Sequence, residues 1–198
     1  MNATKDSGVA RVFFALWPEI LVRQALHTLA TKYQSQCEAR VMAADSLHMT
    51  LLFLGEVKRT RLLQLMQTAD KVSVPPFGFV LERLSFWQHN RIAYATTVVE
   101  APTLHQLAAA LQQEVLAAGF LFESDVESHE FTPHVTLLRN VRHVLEPQPI
   151  TPITWRVDSF VLVESVTTDQ GVRYHVLQKW RLPPFDQTSS VEPPVKQT

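Results

Sequence analysis

Apolar positions along the chain switch between two spacings, and the switches mark the elements. The run VFFALW at 12–17 is short, apolar and aromatic, which predicts a buried strand. Pro18 then stands where a helix can begin, and Ile20, Leu21, Ala25, Leu26 and Leu29 form a stripe at helical spacing that predicts a helix to about residue 36. Residues 47–54 predict a second strand, and 61–71 a second helix with Leu62, Leu65, Met66 and Ala69 on one face. Strands at 77–87 and 91–99, joined at His89-Asn90, predict a hairpin. A third helix is predicted from Pro102 to residue 118, its buried stripe being Leu104, Leu107, Ala108, Leu111 and Val115, with Gly119 placed to end it.

A polar loop at 123–130 leads to a strand at 134–139. A crossing rich in proline (Pro147, Pro149, Pro152) then precedes two final strands, 154–166 and 172–180, which turn at Asp169-Gln170-Gly171. Helices and strands alternate, yet hairpins are present, so the class predicted is α+β with mostly antiparallel sheets. Residues 1–9 and 184–198 are polar and poor in large aliphatics. They read as disordered tails around one domain spanning 10–183.

Composition narrows the function. Eighteen Lys+Arg against nineteen Asp+Glu give a net charge of -1, which excludes holding nucleic acid by bulk cationic charge. Any phosphate must be met by a few placed side chains. The apolar runs are too short for a membrane span, the N-terminus lacks the apolar core of a secretory signal, and the single Cys37 builds neither a disulfide nor a thiolate cluster. A cytoplasmic setting is the resulting expectation. Five scattered glycines provide neither a G-x-G-x-x-G turn nor a Walker loop.

One pattern rises above this background. His48-Met49-Thr50-Leu51-Leu52 and His134-Val135-Thr136-Leu137-Leu138 both read H-x-T-L-L, and each sits in a predicted strand. Side chains alternate across a strand, so His and Thr two apart share a face, while Met49, Leu51, Phe53, Val135 and Leu137 are expected to face a core. One such histidine is an ordinary residue of an amphipathic strand. Two matching copies instead predict a cleft where two imidazoles face two hydroxyls. Histidine titrates near neutrality, so one copy can serve as acid and the other as base. Thr50 and Thr136 suit phosphoryl oxygens, and Arg139 on the second strand can add a forked cationic donor. This set needs no metal, and the scattered carboxylates and His129, His134 and His143 offer no zinc site. Trp87, Trp155 and Trp180 read as packing residues, and His27, His89, His105 and His143 as solvated.

With these residues in view, the chain resembles the 2H phosphoesterase superfamily, and within it the bacterial and archaeal RNA 2′,3′-cyclic phosphodiesterases, also called 2′-5′ RNA ligases. The opening VFFAL, the segment ADSLHMTLLFLGEV at 44–57, the segment FTPHVTLLR at 131–139 and the closing VRYHVL at 172–177 carry the resemblance. It implies a bilobal fold of two pseudo-symmetric, mostly antiparallel sheets with helices on the outer faces and a central cleft. It also implies hydrolysis of an RNA or nucleoside 2′,3′-cyclic phosphate to a 2′-phosphomonoester, without cofactor or metal. His48 matches the proton donor and His134 the proton acceptor, while Thr50, Thr136 and Arg139 hold the phosphate. Phe14 is a candidate for stacking a base, the alternative for an aromatic of a first strand being a place in the core. RNA ends bearing the cyclic phosphate are the expected partner, with no protein partner or membrane implied. Ligation to a 2′-5′ linkage at the same site, or RNA binding without catalysis, are the competing expectations.

Overall fold

The computed structural model describes residues 8–121, 131–169 and 171–183. The expected loop at 123–130, the tail at 184–198, Gln170 and most of the tail at 1–9 therefore lie outside the described residues. Val9, the last residue of that expected tail, is already the first residue of β1 (Val9–Leu16).

The described chain forms two antiparallel sheets. One has four strands, in the order β3 (Met49–Lys58), β1, β8 (Ser159–Thr168), β9 (Gly171–Arg181). The other has five, in the order β2 (Arg40–Val41), β6 (His134–Arg139), β5 (Ile92–Thr96), β4 (Phe77–Trp87), β7 (Gln148–Val157). Strand β1 is apolar on both faces because it is a central strand with partners on both sides and apolar neighbours above and below. Its even positions, Val12, Phe14 and Leu16, enter the main core, where Phe14 meets Phe160 and Trp180. The Trp180 indole donates to Asp70 Oδ1 at 2.6 Å, tying this sheet to the C-terminal end of helix α2 (Leu62–Ala69). Helix α3 (Pro102–Ala117) packs beside α2 and against β3, and helix α1 (Ile20–Cys37) lies on β6 and β7 of the five-stranded sheet. The stripe read from the sequence is the buried face of α3, with Pro102 in its first turn and Gly119 just beyond its end at φ +73°.

Two departures from the predicted elements matter. The proline-rich crossing is itself a strand, and the span 154–166 is divided between β7 and β8. Proline is tolerated there because β7 is an edge strand, where a missing N–H need not break a ladder on both sides. The second departure is a register shift in each H-x-T-L-L strand. On β3 the partners step from Phe14↔Leu52 to Ala15↔Thr50, and on β6 from Ala93↔Leu138 to Tyr94↔Thr136. The paired leucines thus occupy a β-bulge in both copies, and both members of each pair stay buried. The residue after the pair swings back to the face of the His and Thr. Phe53 therefore faces the cleft rather than the core, and Arg139, which strict alternation would turn away from His134, joins it.

Candidate active site

The two H-x-T strands belong to different sheets, and the sheets face each other across a cleft. His48, Thr50, His134, Thr136 and Arg139 all line one central pocket of about 190 Å³, with Met42, Ser46, Trp87, Asn90 and Ile92 completing its wall. The two expected catalytic histidines and the three expected phosphate-binding residues are thus brought together. The pocket opens into two recesses. One, of about 460 Å³ on the His48 side, is lined by Arg11, Phe13, Arg40, Phe53, Ser165 and Tyr174 among others. The other, of about 440 Å³ on the His134 side, adds His89, Gln112, Phe131 and Thr132.

The two imidazoles are held alike. His48 Nδ1 lies 2.7 Å from the Ser46 carbonyl oxygen, and His134 Nδ1 lies 2.8 Å from that of Thr132. A carbonyl can only accept, so each Nδ1 carries the hydrogen and donates it. This fixes each ring's orientation and leaves Nε2 as the nitrogen that can give or take a proton. Such a bond on its own favours the imidazolium. Burial works against it and wins: it holds His48 down from 6.5 to about 4, and His134 below its usual value. The Arg139 guanidinium pushes both in the same direction, and His134 does so for His48. The side chains of the pocket on their own are therefore cationic at Arg139 and neutral at both histidines near pH 7.

Aromatic rings do the burying. Trp17 stacks on His48 with centroids 5.4 Å apart and planes 2° from parallel, while Tyr174 and Phe13 stand 5.0 and 4.9 Å from the same imidazole. Around His134, Trp87 approaches at 4.6 Å and Tyr94 at 5.8 Å, both steeply inclined to the ring. Trp87 is thus a wall of the site and not only packing, whereas Trp155 and Trp180 are buried as expected. Phe14 does not serve a base: it is fully buried on the opposite face of β1, and its neighbour Phe13 is the one beside His48. Alternation puts Phe13, Ala15 and Trp17 on one face, but VFFALW is apolar at every position, so the sequence offered no signal of which face meets the cleft. Tyr174 also turns to the cleft, and His175 is exposed. Among the described residues no group of three or more His, Cys, Asp or Glu is placed to hold a metal ion.

Paired H-x-T strands facing each other across a cleft between two antiparallel sheets define a 2H phosphoesterase. Comparison with known proteins takes this to a family. The LigT-like phosphoesterase model matches residues 18–94. The RNA 2′,3′-cyclic phosphodiesterase of Escherichia coli K12 is 32% identical over 174 residues, covering 87% of this chain and 96% of that protein. A protein of the same name from Thermus thermophilus is 29% identical, covering 87% of this chain and 90% of its own length. Among solved structures, apo E. coli LigT superimposes with a TM-score of 0.78 at 28% identity over 89% of this chain and 99% of its own, and LigT complexed with 3′-AMP also gives 0.78. The chain belongs to the LigT-like phosphoesterase family.

Proposed function

We propose that this chain hydrolyses the 2′,3′-cyclic phosphate of an RNA or nucleoside to a 2′-phosphomonoester, with His48 and His134 as acid and base and no metal in the reaction. The observation that carries the reading is the mirrored orientation of the two imidazoles, each fixed through Nδ1 and each presenting Nε2 to one pocket that also holds Thr50, Thr136 and Arg139. The names of the relatives, and the 3′-AMP complex of E. coli LigT, support the substrate class.

In this reading the phosphorus sits between the histidines, its free oxygens on the threonine hydroxyls and Arg139. Water attacks from the His134 side. Its proton passes to His134 Nε2 as the new P–O bond forms, and the P–O3′ bond breaks on the opposite side of phosphorus. His48 Nε2–H protonates the departing O3′. His48 must carry a proton to do so, yet burial by itself keeps the imidazole neutral. The anionic phosphate supplies the missing charge, so His48 takes up its proton as substrate binds.

The test is turnover of adenosine 2′,3′-cyclic phosphate in excess EDTA, followed by phosphorus NMR. Formation of 2′-AMP at an undiminished rate is expected. Loss of turnover in EDTA with recovery on adding a divalent ion, or 3′-AMP as product, would overturn the reading.

A further inference from the structure

The recess on the His48 side has a charge that hydrolysis of the cyclic phosphate alone does not use. Among the described residues lining it are three arginines, Arg11, Arg40 and Arg139, and no Asp or Glu. Arg40 and Arg139 are direct cross-strand partners on β2 and β6, so two like charges stand side by side on one face. Such a pair is unfavourable unless an anion lies between or above it. Arg139 belongs to the central pocket, whereas Arg40 lines only the outer recess. On the opposite wall, Arg11 follows the cleft-facing alternation of Phe13 and Trp17, and its guanidinium lies 4.8 Å over the Phe53 ring. The aromatic rings of Phe13, Phe53 and Tyr174 line the same recess from the sheet that carries Arg11.

The direction of the reaction places the ribose here. If His48 protonates O3′, that oxygen and the sugar that keeps it lie on the His48 side of phosphorus. The nucleoside then occupies the arginine-lined recess, with its 5′ oxygen at the end away from the cyclic phosphate. Resting on the hydrolytic reading above, we propose that Arg40 and Arg11 form a second phosphate subsite for the group on that 5′ oxygen. In an RNA strand this group is the adjoining phosphodiester. The chain is therefore built for the ends of oligonucleotides more than for free cyclic nucleotides. Selectivity of this kind needs no bulk positive charge, in keeping with the net charge of -1.

The experiment compares kcat/KM for three substrates: adenosine 2′,3′-cyclic phosphate, the same compound bearing a 5′-phosphate, and the dinucleotide ApA ending in a 2′,3′-cyclic phosphate. Wild type is expected to favour the substrates with a 5′ phosphoryl group by about 10- to 100-fold, through KM, the range for losing a hydrogen bond between charged groups. In Arg40→Gln and Arg11→Gln that ratio is expected to fall about 10-fold, and in the double variant to approach one. A higher rate for the dinucleotide than for the 5′-phosphorylated mononucleotide identifies the phosphodiester as the group recognised. A ratio that neither variant moves, with all substrates turned over, overturns the subsite alone. Absence of turnover of every substrate by wild type overturns the hydrolytic reading and the subsite with it.

Discussion

Trp17 lies flat on His48, its indole within 2° of parallel to the imidazole at 5.4 Å, whereas His134 meets its nearest tryptophan at 69°. The two histidines share a backbone anchor but differ in how water is kept from their faces. Replacing Trp17 by Leu uncovers one face of His48. Hydration then favours the imidazolium by more than the lost contact between ring and cation disfavours it, because burial is the larger influence here. The His48 midpoint is expected to rise from about 4 toward 6.5 when followed by NMR of the imidazole Cε1–H, with that of His134 moving less. An unmoved His48 midpoint would show that the indole does not dehydrate it.

The pH dependence of the rate carries a sign of its own. Both free-enzyme histidines titrate below their ordinary range, so the bell in kcat/KM should be centred below pH 6.5. Bound phosphate raises both, so the bell in kcat should lie at higher pH. The limbs belong to the coupled pair and not to either residue alone. Profiles of the two parameters for a cyclic nucleotide would check this, and coincident optima would contradict it.

Stability should follow the same imbalance. Unfolded, His48 takes a proton near pH 6.5; folded, it refuses one until about pH 4. Between these values the unfolded chain binds more protons, so the contribution is present above pH 6.5 and lost as pH falls toward 4. Its size is up to about 3 kcal/mol for a shift of this magnitude. Urea denaturation at about pH 7 and about pH 4.5, on either side of most of that window, should show wild type losing more stability than His48→Asn. Equal losses would refute the linkage.

Asn at either histidine position separates anchoring from catalysis. Its side-chain amide can still donate to the Ser46 or Thr132 carbonyl, but no nitrogen remains for proton transfer. His48→Asn and His134→Asn are expected to lower turnover by about 10²–10⁴ with little change in Tm. A loss of Tm matching the loss of activity would mark the residue as structural.

If Arg139, Thr50 and Thr136 hold the phosphate as proposed, their contributions should rank by charge. Arg139→Ala removes a charge-assisted fork, and Thr50→Val and Thr136→Val each remove one neutral donor of similar shape. Competition by 2′-AMP should weaken about 10- to 100-fold in the arginine variant and less in the others. Undiminished 2′-AMP binding by Arg139→Ala would remove Arg139 from the site.

The elements were legible in the sequence wherever spacing and punctuation agreed, as in α3 with its proline start and glycine stop. They were misread where edge position overrode local preference, as in proline-bearing β7. The paired motif located His48, Thr50, His134 and Thr136, because two residues on one strand face cannot be separated by folding. Phe53 escaped because a bulge restarts the alternation, and nothing in a Leu-Leu pair announces one. Phe14 was chosen over Phe13 by a one-residue error in phase. Arg40 and Tyr174 could not be placed at all. Each reaches the cleft only through strand pairing at long range, Arg40 through β6 and Tyr174 through β8.

The order of strands in the four-stranded sheet bears on how the enzyme comes into being. Strands β3 and β1 are formed within the first third of the chain, but the partner on the other side of β1 is β8, which begins only at Ser159. The wall that carries His48 is therefore closed by the last strands to be synthesised. Contacts of such separation are slow to form, since a long loop must be ordered before any pairing rewards it. A nascent chain can complete the five-stranded sheet, and with it His134, before β8 and β9 exist. Tyr174 reaches His48 only with β9, so in chain order the surroundings of His48 are completed after those of His134.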